Sequence, residues 1–108
     1  MKPVEWRTQA RRDAAESAYW YARQGGLSLG EAFLAEVDAA LRTIAEHPAI
    51  GSLRHAEHAT DLPSPLRFLP LKRFEHHLVY YIDLPGHLEV IRVWHAARGL
   101  GALMGEPE

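Results

Sequence analysis

Six basic residues in the second half of the chain have the chemistry needed to act on RNA. Acid–base cleavage through the 2′-hydroxyl needs a base, an acid and cations that stabilise charge developing on the phosphate. Arginine and lysine would supply that charge, and histidine can move a proton near neutral pH. The fold should bring these residues together on a sheet: Arg67, Lys72, Arg73, Arg92, His95 and Arg98.

A structural explanation of the same residues is equally open. Arg67 and Arg73 stand near the ends of expected strands, where arginine is an ordinary surface residue. Arg92 could pair with Glu89 or Asp83, which would remove it from any site. The cluster is therefore a hypothesis that needs the fold to test it.

Other site chemistries have no support in the sequence. His55 and His58 lie in a loop punctuated by proline, and His76 and His77 enter a strand, where neighbouring side chains point to opposite faces. We therefore predict no metal site. The chain has no cysteine, no Gly-x-Ser-x-Gly elbow and no glycine-rich nucleotide-binding loop. We predict no cofactor.

Composition narrows the class of protein. A chain of 108 residues, 47% hydrophobic and 24% charged, is expected to form one domain over residues 1–108. Its net charge of −2 disfavours bulk binding to nucleic acid, so we expect no sequence-specific DNA binding by this chain. No apolar signal core or membrane span is evident, and we expect a cytoplasmic protein.

The first third of the chain predicts a strand followed by two helices. Residues 3–6 can form a short strand, and Thr8 is a candidate N-cap for a helix running to about Gln24. Gly25-Gly26 should end that helix, because glycine adopts the left-handed C-terminal cap without steric cost. The turn is short, so the next helix should fold back against the first.

The second helix has the clearest pattern. Ser28 and Glu31 have capping-box spacing, and His47-Pro48 should end the helix because the residue before proline avoids the α region. The chain then looks irregular as far as Pro65. One face carries apolar side chains at helical spacing: Leu29, Phe33, Val37, Ala40, Leu41 and Ile44.

After residue 65 the apolar period changes to two, which predicts strands. Residues 66–71 form a candidate strand whose Pro70 favours an edge position. Residues 77–83 and 88–95 are rich in β-branched and aromatic residues and should pair as a hairpin. Residues 84–87 have proline second and glycine third, which favours a type II turn.

Two features predict a partner-binding surface. Both faces of the 77–95 hairpin are apolar, yet one pair of helices covers only one face, so we expect an exposed apolar patch on the other. Tyr19, Trp20 and Tyr21 are spread about 100° apart around their helix, so they cannot all face the core. They could anchor a partner or pack over the end of the helix.

The order of these elements resembles the RelE/ParE toxins of bacterial toxin–antitoxin systems. The similarity covers nearly the whole chain to about Arg98. It rests on these residues: Val4-Glu5-Trp6 with Ala10 and Asp13, Ala32-Phe33 with Leu41, His47-Pro48-x-x-Gly51, Arg67, Phe74, Leu78-Val79-Tyr80-Tyr81, and Val93 to Arg98 with His95. The resemblance implies an α+β fold with an N-terminal strand, an antiparallel two-helix hairpin and a three-stranded antiparallel meander. The strands would form one sheet, and the helices would cover one of its faces.

Within that group the chain is more similar to the ParE branch. RelE-like members cut mRNA on the ribosome and are generally strongly basic, with an acid–base residue near the C-terminus. Residues 99–108 contain no Tyr, Lys, Arg or His, and we expect them to form a short tail whose order the sequence leaves open. ParE-like members lack the nuclease residues and poison DNA gyrase. We expect a non-enzymatic toxin; a ribosome-dependent mRNA endonuclease using His95, Arg67 and Arg98 is the alternative, and a related module that has lost its toxicity is a third.

The resemblance also implies partners and roles for residues. The partner is a ParD-like antitoxin, whose C-terminal tail would wrap the helical hairpin and the sheet. The expected target-binding residues are Arg67, Arg73, Arg92, His95 and Arg98. The expected antitoxin-binding residues are Tyr19, Trp20, Tyr21, Phe33, Tyr81 and Trp94.

Overall fold

The computed structural model of the chain describes residues 1–104. These residues form two helices and four strands, together with three short 3-10 helices at Pro48–Ile50, Ala56–Ala59 and Ala96–Arg98. No helix in the described part of the chain is long and apolar enough to cross a membrane. The main elements are β1 (Val4–Trp6), α1 (Thr8–Gly25), α2 (Leu27–Glu46), β2 (Arg67–Pro70), β3 (His77–Asp83) and β4 (Leu88–His95).

The four strands form one mixed sheet in the order β1-β4-β3-β2. Neighbours β2 and β3, and β3 and β4, are antiparallel, whereas β1 lies parallel to β4 and pairs only with Leu88–Val90. A register shift between Tyr80 and Tyr81 interrupts the hairpin. The expected α+β class with two helices and four strands is confirmed. The expected antiparallel meander accounts for only part of the sheet, because the first strand joins it parallel, beside the last one.

Both predicted helix N-caps were wrong, although α1 does end at Gly25-Gly26 as predicted. Thr8 is the first residue of α1, and the N-cap is Arg7, whose side chain makes no capping hydrogen bond. Helix α2 begins at Leu27, so Ser28 lies inside it and forms no capping box with Glu31. For α2 the reason is the tightness of the helical hairpin. Gly26, at φ 94°, donates its N–H to the Ala22 carbonyl at the end of α1 and also serves as the N-cap of α2.

The predicted bounds of the last two strands are confirmed, whereas the turn predicted between them was wrong. Strands β3 and β4 have the predicted bounds, and Pro70 lies on the edge strand, where its missing N–H costs no ladder hydrogen bond. The loop at residues 84–87 is not a type II turn. That turn requires a positive φ at its third residue, and in residues 1–104 only Gly26 and Gly99 have one.

One face of the sheet packs against both helices. The helices contribute three alanines from α1 and a larger apolar face from α2, as the helical period predicted. Small side chains on α1 let the two helices approach closely and bring both onto the sheet. The buried residues of this layer are Ala10, Ala14, Ala18, Phe33, Val37, Ala40, Leu41, Ile44, Leu71, Phe74, Val79, Tyr81, Leu88, Val90 and Val93.

The second face of the sheet is also covered, so the expected exposed apolar patch on it was wrong. The irregular segment before β2 and the segment after β4 fold over this face. Leu66 and Leu103 are fully buried there, although neither lies in a helix or a strand. Apolar residues in these irregular segments form the missing layer. The cluster comprises Ala59, Leu66, Phe68, Leu78, Tyr80, Ile82, Ile91, Trp94 and Leu103.

The C-terminal tail expected at residues 99–108 is therefore partly structural. Residues 99–104 form turns over the second face, and the Arg92 guanidinium donates a hydrogen bond of 3.0 Å to the Leu103 carbonyl. Trp94 Nε1 donates to the Gly99 carbonyl at 2.8 Å. These contacts tie the segment to β4. Residues 105–108 of the expected tail lie outside the described residues.

Candidate functional site

The sheet brings four of the six predicted basic residues to one end. Strand β2 ends, β3 begins and β4 ends at this end, where Pro70 pairs with Leu78 and Leu78 with Trp94. Two basic residues follow β2, one closes β4 and one follows β4. We call this set the basic end: Lys72, Arg73, His95 and Arg98.

Arg67 lies at the opposite end of the sheet. Arg67 pairs with Tyr81 and His95 pairs with His77, which lies four residues from Tyr81 along β3. Strands β2 and β4 flank β3, so Arg67 and His95 are also two strands apart. Strand rise and spacing separate the α-carbons of Arg67 and His95 by about 17 Å. The Arg67 guanidinium donates to the carbonyls of Ala49 at 3.1 Å and Gly51 at 2.9 Å, so it stabilises the loop after α2.

Arg92 is buried, which removes it from any surface that binds a target. Its Nε and Nη2 donate to the two carboxylate oxygens of Asp13 at 2.7 and 2.9 Å. Both side chains are only 7% exposed. The partners expected from the sequence are engaged elsewhere: Glu89 accepts from Arg7, and Asp83 pairs with Lys2.

Asp13 also completes the edge of the sheet. Strand β1 ends at Trp6, level with Val90, so within residues 1–104 no strand pairs with the rest of β4 on that side. There the Val93 N–H donates to an Asp13 carboxylate oxygen at 3.1 Å. One carboxylate on α1 therefore satisfies a guanidinium and a backbone donor that would otherwise be buried and unpaired.

Trp94 supports Arg98 and is not exposed. The indole is fully buried in the second-face cluster. The guanidinium carbons of Arg98 and Arg92 lie 4.0 and 4.4 Å from its ring centroid, distances typical of cation–π contacts. Arg98 is exposed, and its contact with Trp94 fixes the position of its guanidinium at the basic end.

His95 is constrained by the turn that follows it. Its Nδ1 accepts a hydrogen bond of 3.0 Å from the Ala97 N–H, so in the neutral ring the proton sits on Nε2. In this tautomer Nε2 is a donor and cannot act as a general base. The neighbouring His77 is 3% exposed, and burial together with the charges of His95 and His76 lowers its pKa to about 4.

Three of the six residues expected to bind the antitoxin are internal. Phe33 and Tyr81 are fully buried in the helix-facing core, as Trp94 is in the second cluster. The Tyr81 hydroxyl donates to the Pro48 carbonyl at 2.7 Å and accepts from the Gly51 N–H at 2.8 Å, which explains its burial. These residues shape the fold and offer no surface to a partner.

The other three aromatic residues lie on α1. Tyr19 and Trp20 are 66% and 56% exposed. Tyr21 is half-buried and stacks on Phe33, with its hydroxyl 3.4 Å from His77 Nδ1. As the helical spacing predicted, the three do not share one environment, and two of them remain available at the surface.

Sequence reasoning missed two polar contacts inside the fold. Asp13 could have been found, because it lies on the same helical face as Ala10 and Ala14 and a buried carboxylate needs a buried cation. His55 had no such signal. Its Nδ1 lies 2.7 Å from the hydroxyl of buried Tyr80, whose pKa burial raises to about 12, and its ring stacks on Phe68.

Comparison with known proteins gives the family. The family model described as the ParE toxin of the type II toxin–antitoxin system parDE matches residues 4–100. A solved structure titled "Chromosomal ParDE TA system from P. aeruginosa" has a TM-score of 0.71 at 16% identity, covering 88% of this chain and 96% of that one. At this identity the likeness supports the fold. A search of curated proteins found no match. The family match spans nearly every element described above, and the chain therefore belongs to the ParE toxin family of type II toxin–antitoxin systems.

Proposed function

We propose that this protein is a non-enzymatic toxin, neutralised by a ParD-like antitoxin and inhibiting DNA gyrase when free. The observation that carries the proposal is the family match over residues 4–100. The proposal assigns no cofactor, no membrane contact and no sequence-specific DNA contact to this chain. It includes a cytoplasmic location, because gyrase acts on the chromosome there.

The geometry supports binding over RNA cleavage. A nuclease built from Arg67, His95 and Arg98 would need these side chains around one phosphate. Arg67 is about 17 Å from His95 along and across the strands, and its guanidinium is committed to two carbonyls of the loop after α2. With Nδ1 engaged, the Nε2 of neutral His95 is a donor, which suits contact with a partner better than proton abstraction.

The exposed aromatics of α1 are the proposed anchors for the antitoxin. Tyr19 and Trp20 present large side chains that lose little conformational entropy on binding. Tyr21 lies beneath them, and Trp20 meets its ring edge-on at 5.0 Å. An antitoxin tail that orders on binding needs such anchors to offset its loss of entropy.

The basic end is the proposed surface for gyrase. Arg73 and Lys72 are exposed beyond β2, and Trp94 holds Arg98 beyond β4. Glu75 is the one exposed acid in the turn between Lys72 and His77, so this end remains positive in a chain whose net charge is −2. A local positive patch of this kind steers association with an acidic partner.

The test is to induce the chain alone in a bacterium and pulse-label DNA and protein synthesis. We expect DNA synthesis to fall first, with a DNA-damage response, and the purified chain to inhibit supercoiling by gyrase. His95→Ala should remain toxic, because no proton transfer is required. If protein synthesis fell first and His95→Ala abolished toxicity while the variant stayed folded, the target would be the ribosome and the proposal would be wrong.

A further inference from the structure

The turn after β4 is tied to the sheet on both sides of Arg98. Before it, the Ala96 N–H donates to the His76 carbonyl at 2.8 Å, which joins the turn to the segment that enters β3. After it, the Gly99 carbonyl accepts from Trp94 Nε1 at 2.8 Å, and the Gly99 N–H donates to the Ala96 carbonyl at 3.1 Å. The backbone that carries Arg98 is therefore held at two points.

The side chain of Arg98 is held as well. Its guanidinium carbon lies over the Trp94 ring, 4.0 Å from the centroid, and that of buried Arg92 lies 4.4 Å from the same centroid. Arg92 is itself fixed, because it binds both carboxylate oxygens of Asp13. The indole is fully buried, so its packing fixes the surface on which Arg98 rests.

This order distinguishes Arg98 from the other cations of the basic end. The Arg73 guanidinium carbon lies 5.4 Å from the Phe74 ring centroid, which is a looser contact. Among the cation–π contacts of residues 1–104, none involves Lys72. A long side chain that is already ordered loses less conformational entropy when it binds, which strengthens the complex.

We propose that Trp94 is a positioning residue for the target, holding the Arg98 guanidinium in place to bind a carboxylate of gyrase, while the buried Asp13–Arg92 pair holds Trp94. A guanidinium that rests on a ring keeps N–H groups at its edge for two parallel hydrogen bonds to a carboxylate. The inference rests on the proposed function, which supplies the target. It adds that a residue without exposed surface sets the affinity for that target.

The first test changes the electron density of the Trp94 ring and leaves its shape nearly intact. Tryptophan analogues with one, two and three fluorine atoms are introduced at position 94 alone. The attraction of a cation to a ring depends on the electron density of its face, so inhibition of supercoiling should weaken stepwise, by about threefold or more with the most fluorinated ring. The same analogues at Trp6, whose ring centroid lies 5.5 Å from the Arg11 guanidinium carbon, are the matched control and should have no effect.

The stepwise loss must also depend on Arg98. In a chain carrying Arg98→Ala, fluorination of Trp94 should weaken inhibition no further, because the cation that the ring positions is gone. Inhibition that is indifferent to fluorination at Trp94 would overturn the proposal. An equal stepwise loss with Arg98→Ala would also overturn it, since the ring would then act through Arg92 or through packing alone.

A second test separates the shape of Arg98 from its charge. Arg98→Lys keeps the charge but loses the planar fork, so the concentration needed for inhibition should rise about fivefold, close to the effect of Arg98→Ala. Arg54→Lys, an exposed change in the loop before β2, is the control. Full activity of Arg98→Lys would contradict a positioned guanidinium. An effect of Arg98→Ala on gyrase binding only when DNA is present would replace the carboxylate with a DNA phosphate and overturn the assignment.

A third measurement needs no gyrase. Nitrogen-15 relaxation of the Arg98 Nε–Hε group in the isolated chain should give an order parameter above about 0.6, falling below it when Trp94 is trifluorinated. A mobile Arg98 in a chain that inhibits gyrase would overturn the positioning role and leave the proposed function standing. A chain with an ordered Arg98 that fails to inhibit gyrase would overturn the proposed function, and the role of Trp94 in target binding with it.

Discussion

Asp13 and Arg92 form the most extensive set of buried hydrogen bonds among residues 1–104. The pair is bidentate and nearly fully buried, and its remaining donors and acceptors are used by the Val93 N–H and the Leu103 carbonyl. Removing one partner of such a pair leaves an uncompensated buried charge, which costs more than the net energy of the intact pair. The pair therefore links α1, β4 and the C-terminal segment through one set of contacts.

Asp13→Ala should destabilise the fold by about 3–5 kcal/mol, because the Arg92 guanidinium is left buried without its counter-ion. Urea unfolding followed by circular dichroism measures this. Glu16→Ala, an exposed acid one turn along the same helix, is the control and should cost well under 1 kcal/mol. A cost for Asp13→Ala no larger than that of the control would mean that Arg92 reaches solvent.

His77 should make stability depend on pH. Burial among Tyr21, Phe33 and His95 lowers its pKa from the ordinary 6.5 to about 4. Below pH 6.5 His77 therefore binds a proton in the unfolded chain, whereas in the folded chain it binds one only near pH 4 and below. The contribution of neutral His77 to the free energy of unfolding is complete above pH 6.5. It is lost as the pH falls toward 4, by about 1.4 kcal/mol per pH unit.

His77→Leu should flatten this part of the stability profile, measured by urea unfolding at half-unit steps of pH. His47→Gln, which changes an exposed histidine, should leave the slope unchanged. An unchanged slope in His77→Leu would show that groups other than His77 carry the pH dependence.

At the scale of elements, the contact between α1 and α2 depends on one glycine. A Cβ atom on Gly30 would lie 2.6 Å from the Ala18 carbonyl oxygen and 3.1 Å from the Ala22 Cβ. Because the first obstacle is backbone, the helices would have to separate. The close approach of α1 and α2, and with it the fit of both helices on the sheet, requires glycine here.

Gly30→Ala should therefore destabilise the protein by about 1–3 kcal/mol, although alanine is the better helix former by about 1 kcal/mol. Thermal unfolding gives the sign directly. Gly86→Ala, where a Cβ atom meets nothing within 4 Å, is the control and should be close to neutral. A stabilised Gly30→Ala variant would show that the helices move apart at little cost.

The elements also show what sequence reasoning can reach. Period and punctuation predicted β3, β4 and both helices, because a long periodic segment has few other ways to bury its apolar face. The predicted N-cap of α2 failed because a one-residue connection at Gly26 cannot be told from a looser turn by residue type. Coverage of the second face failed for a different reason: Leu66 and Leu103 lie in aperiodic segments, whose burial depends on tertiary contacts alone.

The candidate site was predictable only where it follows strand ends. Lys72, Arg73 and Arg98 could be placed at one end of the sheet once the strand bounds were known. Arg92 and Trp94 could not, because β4 is buried on both faces and alternation no longer separates inward from outward side chains. The same burial removed Phe33 and Tyr81 from the partner surface.

At the scale of the whole molecule, the two proposed partner surfaces are neighbours, because Tyr21 packs between Trp20 and the turn before β3, but they consist of different side chains. Tyr19 and Trp20 lie on the outer side of α1, whereas Arg73 and Arg98 lie beyond the ends of β2 and β4. Neither set belongs to a buried cluster, so each can be changed with limited cost to folding. The proposed function requires that such changes have different consequences.

Trp20→Ala should weaken antitoxin binding by about 30-fold or more, as expected for an exposed aromatic anchor, while leaving gyrase inhibition intact. Arg73→Ala with Arg98→Ala should do the reverse, raising the concentration needed to inhibit supercoiling at least about tenfold while antitoxin binding is kept. Calorimetric titration with the antitoxin and a supercoiling assay measure the two effects, with Arg54→Glu as control. If Trp20→Ala and the double arginine substitution impaired both assays equally, the antitoxin and gyrase would bind one shared surface. The antitoxin would then neutralise the toxin by directly covering its gyrase-binding site.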